Sequence, residues 1–354
     1  MKTDFQTFLS EQRQAVPTPP DLSDANGKCY FGTFDREFET MDLLRVDHPS
    51  VLPNALNGLR LTLWEAAEVN FGKYILLTAV CHMPIFGTAL TVVYNTETKK
   101  CTAWQEMLLP QQVTISDNLL RGAETKATTG KTQIRFINDF QRGEAIVSGF
   151  GLSEKNGDVS YRLNLKRVSK PSVVNIPFGD NRPLYTQKDL FKVDGYLEVN
   201  GERLYADDTT TAIIDDHRGY YPRHSHYDWV TTLCKLPING KPQYFGFNLT
   251  RNQSIDQDRF NENLIWFEND STLLTPVTFT HETPLLWHIQ DEHGMVDVTF
   301  DIGDEFVMKF NLGLIQSDYH ITFGTLSGFV CDPDGKKYVL DGLPGIGEDK
   351  TLVF

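Results

Sequence analysis

The chain has 354 residues, of which 40% are hydrophobic and 12% aromatic, enough for packed cores and against global disorder. At roughly 150 residues per domain, that length suits about two domains or one large all-β unit. The net charge of −14 opposes polyanions, which excludes nucleic acid and anionic membrane surfaces as partners recognised through bulk charge.

In chain order, residues 1–24 read as an N-terminal segment with a short amphipathic helix over 3–14. It shows no apolar stretch flanked by basic residues of the kind a secretory signal needs. No window approaches the ~20 apolar residues of a membrane helix. The five cysteines form no CxxC pair and read as reduced thiols, so the expected location is cytoplasmic.

Strand signals dominate from there on. In DVSYRLNLKRV, Val159, Tyr161, Leu163 and Leu165 alternate with polar residues, the period of two of a half-buried strand. KTQIRFIND and HITFGTLSGFV are rich in β-branched and aromatic residues. Asn156-Gly157, Asn200-Gly201, Asn239-Gly240 and Asp334-Gly335 supply hairpin turns. Helical periodicity is almost absent, save for a possible turn of helix in QSIDQDRFNENL. The fold class is therefore all-β, a sandwich or barrel that hides its sheet edges. The proline- and turn-rich stretch 169–189 is the expected junction between two halves, and GLPGIGEDK reads as a closing turn.

The densest chemistry lies in AIIDDHRGYYPRHSHYDWV, residues 212–230. His224 and His226 would share a strand face and could ligate zinc with His217 or Asp228. No cysteine or HExxH pattern supports that, so a solvated strand face is preferred and no metal is assigned. His281, His288 and His293 match no standard ligand spacing and read as satisfied loop or strand histidines. No GxSxG elbow, Walker loop or GxGxxG is present, so no cofactor is assigned. Acid/base work by Asp216, His217 and Arg218 stands against a bland alternative in which the Asp–Arg pair anchors a turn. On a strand, Asp216 and Arg218 would share one face while His217 looks the other way.

A hairpin about Asn239-Gly240 sharpens the geometry. A two-residue loop pairs Trp229 with Thr250 and Thr231 with Asn248, placing Tyr227, Trp229, Thr231, Tyr244 and Asn248 on one face. His224, His226 and Asp228 then fall opposite, with Phe245 and Phe247. A three-residue loop would exchange the faces. The aromatic-plus-amide face has the make-up of a ligand-pocket wall, and equally of ordinary core.

The order YTQKD, GYLEVNGERLYADD, DDHRGYYPRHSHYDWV, GFNLTRNQSIDQDRFNENLIWFEND, PLLWHIQDEHGMVDVTFDI and FGTLSGFVCDPDGKKYVLDGLPGIGED resembles the domain-of-unknown-function 2804 family. More distantly, GYLEVNGERLY…DDHRG is similar to a motif of carotenoid hydratase-like tandem proteins, with Asp216, His217 and Gly219 at the matching positions. Arg218, Pro222 and Trp229 match the first family's own pattern. Tyr227 stands where that pattern has a tryptophan, and His224 and His226 are outside it. The resemblance implies two lipocalin-like antiparallel β domains in tandem, residues 25–185 and 186–354. It also implies a pocket for a hydrophobic or amphipathic small molecule.

Three functions follow as expectations. The first is a binding protein anchored by Tyr227, Trp229, Tyr244 and Asn248. The second is a cofactor-independent hydratase or isomerase in which Asp216 or His217 moves protons and Arg218 holds a polar group. The third is a non-catalytic structural or interaction protein.

Overall fold

The computed structural model describes residues 4–311, 313 and 315–353. Two curled antiparallel sheets dominate it, with 60% of the chain in strands and 6% in helix, as the alternating strands and Asn-Gly turns require. The first sheet runs through the strands of residues 62–219, with short strands near the N-terminus at its margin. The second runs through residues 224–353. Strands Pro183–Val199 and Thr211–Gly219 pair within the first sheet. The change of sheet therefore falls between Gly219 and His224, some way past the proline-rich stretch.

Each sheet curls around its own apolar interior. Ala67, Val93, Phe136, Leu163, Phe191 and Ile214 meet inside the first, and Val230, Phe247, Trp287, Val298 and Phe300 inside the second. The helix Asp4–Gln12 does not join the first unit that follows it in sequence. Its Phe5 and Leu9 pack into the interior of the second. The Arg13 guanidinium, buried, secures it by donating to the backbone carbonyls of Asn261, Asn263 and Leu274.

A third apolar layer lies between the sheets. Ala66, Leu77, Leu90, Leu190 and Ile213 from the outer face of the first meet Trp229, Trp266, Tyr319, Ile321 and Ile346 from the second. Strands buried on both faces lose their alternation, which is why Tyr74–His82 reads as the near-continuous apolar run YILLTAVCH.

The hairpin joining His224–Ile238 to Lys241–Arg251 has the register of a two-residue loop, with Trp229 opposite Thr250 and Thr231 opposite Asn248. Asn239 and Gly240 both have positive φ, 53° and 76°, as a type I′ turn demands. The segment QSIDQDRFNENL holds a single helical turn, closed by the Phe260 N–H on the Asp256 carbonyl at 3.0 Å.

GLPGIGEDK departs from expectation. It belongs to the strand Leu343–Val353, hydrogen-bonded between His224–Ile238 and Gln316–Cys331. Its glycines serve close packing. A Cβ on Gly345 or Gly347 would come within 2.8 Å of the Phe300 ring, so glycine here signals a neighbour and not a turn.

Candidate active site at the seam between the sheets

Strand Thr211–Gly219 positions the chemistry. It lies between Pro183–Val199 and Thr62–Asn70, and its successive residues face opposite ways. Ile214 points into the first interior and Ile213 into the seam. Asp216 and Arg218 follow Ile214, whereas Asp215 and His217 follow Ile213.

Inside the first sheet, Arg218 grips Asp216 through two parallel bonds, Nε to Oδ1 at 2.6 Å and Nη2 to Oδ2 at 2.8 Å. Its Nη1 donates to the Ser116 carbonyl. Glu65 lies beside the pair and accepts from Thr125 and, at 2.6 Å, from Asn138 Nδ2. Burial and the Asp216 charge push the Glu65 carboxyl up to about 7. The arrangement is a polar brace, with each of the three guanidinium nitrogens of Arg218 donating a hydrogen bond.

On the seam side the sequence brings together groups that are far apart in the chain. His217 Nε2 lies 2.8 Å from Lys188 Nζ, 3.1 Å from Asp215 Oδ1 and 3.6 Å from Glu262 Oε2. Lys188 also bonds Glu262 and sits 3.7 Å from Asp215. Thr186 Oγ1 and Asn252 Nδ2 donate to the two Glu262 oxygens at 3.1 and 3.2 Å. Across the seam, Glu348 accepts from Tyr227 at 2.8 Å and from Tyr319.

Burial alone would discharge His217, but Asp215 overrides it and lifts the imidazole to about 9. Burial opposes ionisation of Glu262 as well, yet Lys188 and His217 hold its carboxyl well below the ordinary range. Glu348 and Glu68 are raised instead, chiefly by burial. Only one proton fits between Lys188 and His217 at 2.8 Å, so the two titrate as a pair. The seam thus sets the Lys188–His217 pair beside Glu262, a carboxyl held low, and across from Glu348 and Glu68, which burial raises, a separation of environments that proton transfer uses.

These groups border a narrow pocket whose cavity volume, about 20 Å3, is of the order of one water molecule's. Phe178, Leu184, Tyr221 and Trp229 form its apolar wall. Trp229 is held through its indole N–H. Its Nε1 donates to Asn248 Oδ1 at 2.5 Å, and Asn248 Nδ2 donates to the Glu262 carbonyl at 3.0 Å. Lys188 Nζ lies 5.9 Å from the indole centroid.

The structure therefore brings His217, Tyr227 and Trp229 to one pocket, with Asn248 behind Trp229. It turns Asp216 and Arg218 to the other face of their strand. Tyr244 borders a different stretch of the hairpin, where it carries the Lys235 ammonium 4.4 Å over its ring. Sequence reading missed Lys188, Asp215, Glu262 and Glu348 as members of the site. Lys188 had a signal, since it shares a strand face with Leu190 in an otherwise apolar layer. Glu262 had none, because it lies in a turn-rich segment that only the tertiary fold carries to His217.

The shifted groups fix a pH response. A histidine raised above its unfolded value near 6.5 contributes stability that is complete below that value and lost as pH climbs to about 9. Glu262, held low, loses its contribution only in acid. Urea unfolding measured between pH 6.5 and 9 should show stability falling with pH, and His217→Gln should flatten that slope. Equal slopes for the two proteins would show that His217 does not titrate there.

Among the described residues, no helix is long and apolar enough to cross a membrane. No curated protein matches the sequence. Among solved structures, the chain is similar to kievitone hydratase from Nectria haematococca, with 13% identity over 96% of this chain and 98% of that one, at a TM-score of 0.46. It is also similar to CghA determined with Sch210972, with 8% identity over 96% of this chain and 98% of that one, at a TM-score of 0.50. At 8% identity the likeness to CghA is one of fold. The family model for "Domain of unknown function (DUF2804)" matches residues 13–354, so the chain belongs to that family.

Proposed function

We propose that the seam pocket widens to bind an apolar or amphipathic small molecule and that His217 exchanges a proton with it, in a hydration, dehydration or isomerisation that needs no cofactor. One observation carries this reading. An imidazole that shares one proton with Lys188, beside Asp215 and Glu262, opens onto an aromatic wall. A purely bracing ion pair has no use for a pocket, whereas a proton donor facing an apolar ligand works best where water is scarce. His217 is the donor and acceptor, Lys188 and Asp215 set its charge, and Trp229 is the platform against which the ligand lies. Tyr227, donating to Glu348, faces it across the seam.

Asp216 and Arg218 take a positioning role in this reading. They fix the strand that carries His217, from its other face.

Native mass spectrometry of the purified chain tests the pocket. A co-purifying small molecule, lost in Trp229→Ala while the variant keeps its thermal transition, is the expected result. A wild-type protein that carries no ligand and binds none from a lipid and isoprenoid extract would overturn it.

A further inference from the structure

The inner face of the second sheet ends in a cluster that the seam does not use. In strand register, Asp228 lies opposite Asp349, and Asp349 opposite His320. His226 stands two residues before Asp228 on the same face. His281 arrives from the strand Val277–Thr283 at the far edge of the sheet, carried over by its curl. Its ring stacks on Trp287 at 4.4 Å and 4°, which fixes its direction.

The donor atoms face one another. His226 Nε2 is 3.3 Å from Asp228 Oδ2, and His281 Nε2 is 3.1 Å from Asp228 Oδ1. Asp349 lies 3.6 Å from His226 Nδ1 and 3.8 Å from His281 Nδ1. One donor atom from each of His226, Asp228 and Asp349 lies within 4.8 Å of the others. A tetrahedral ion with bonds of about 2.0–2.1 Å separates its ligand atoms by roughly 3.3–3.4 Å, the spacing His226 Nε2 and Asp228 Oδ2 already have; Asp349 and His281 stand close enough to turn one donor atom each toward the same point.

A second observation points to a ligand. Asp228 is only 8% exposed, and its Oδ1 is shielded from solvent without a hydrogen bond of good geometry. A buried carboxylate oxygen left this way is costly unless something else satisfies it. Outer partners are in place as well. Thr351 Oγ1 holds His226 Nδ1 at 3.2 Å, which leaves Nε2 as the metal-facing nitrogen. His320, opposite Asp349, is itself held by Glu305 at 2.9 Å and Asp318 at 3.0 Å.

We propose that His226, His281, Asp228 and Asp349 form a Zn2+ site at the open end of the second sheet. Two imidazoles and two carboxylates suit a borderline divalent ion, and two carboxylates balance its charge. The pair expected from spacing, His224 with His226, is not this site. His224 is exposed and takes no part, and the second imidazole comes from 55 residues further along the chain than His226. His226 also touches the rim of the seam pocket, but the site requires no ligand there.

The test uses the full chain made without a histidine tag and stripped with chelator. Calorimetric titration with ZnCl2 should show one equivalent bound. Titration with CoCl2 should give the intense visible bands of a tetrahedral centre. His281→Ala and Asp349→Asn should each weaken binding by more than about 100-fold, beyond the roughly 10–100-fold that loss of an outer partner costs. His288→Ala, outside the cluster, should bind as the wild type does. Circular dichroism of each variant shows whether it remains folded, and Asp228→Asn supplies a third ligand deletion should one fail. The proposal is overturned if Zn2+ does not bind stoichiometrically, or if binding survives His281→Ala and Asp349→Asn. Because the readout is metal binding, a negative result leaves the seam pocket's proton chemistry untouched.

Discussion

Asp216→Asn is expected to destabilise the protein by about 3–5 kcal/mol, the cost of leaving a buried guanidinium without its counter-charge. Arg218 is 3% exposed and Asp216 is fully buried, so water cannot replace the lost partner. Glu65 is the only other carboxylate among the groups described beside the pair, and it is raised to about 7, first by burial and then by Asp216 itself. Neutralising Asp216 should therefore draw Glu65 into its charged form. Urea unfolding gives the stability. The double variant Asp216→Asn/Arg218→Met should recover much of the loss, since removing both charges removes the orphan. A single-variant loss below about 1 kcal/mol would place the pair in the range of solvent-exposed ion pairs and remove its role as a brace.

His217→Gln is expected to act on turnover. Once native mass spectrometry has supplied the ligand, the variant should lower kcat by about 10²–10⁴-fold, the usual worth of a positioned acid or base. Binding should change by no more than a few-fold, because Trp229 and the apolar wall are intact. The KM-against-kcat split separates proton transfer from bracing, which would alter both through the pocket's shape. Turnover equal to the wild type would remove His217 from the chemistry. A ligand bound but never converted by either protein would leave the pocket as a carrier's.

These two expectations attach to neighbouring residues on one strand, and they differ because adjacent side chains enter different environments. Alternation alone announced that split, as it announced the all-β class. The Asn239-Gly240 turn went further. A turn needing positive φ at two consecutive positions admits few residue pairs, and once its length is set, the register from Trp229 to Asn248 follows. Local rules of this kind are written in residues a few positions apart, so they survive in the sequence.

Which groups meet His217 is a different matter. Lys188 and Glu262 are separated by 74 residues, and no local preference records that they share a proton network. Their meeting depends on how two curled sheets lay their outer faces together, an outcome decided by the apolar layer of Leu77, Leu190, Trp229 and Ile321. Glycine misled for the same reason. Gly345 and Gly347 read as a turn by local preference, while the space taken by the Phe300 ring, visible only in three dimensions, is what keeps side chains off them. The sequence by itself determined the strands, the place of the Asn239-Gly240 turn and the opposite facing of Asp216 and His217; which of two hairpin registers holds was read from the structure. The tertiary structure decided the rest: that His217 opens onto a pocket, that Arg218 closes a brace, and that His281 reaches Asp228. Each is a long-range contact, and such contacts form where whole apolar faces are buried together and not where neighbouring residues agree.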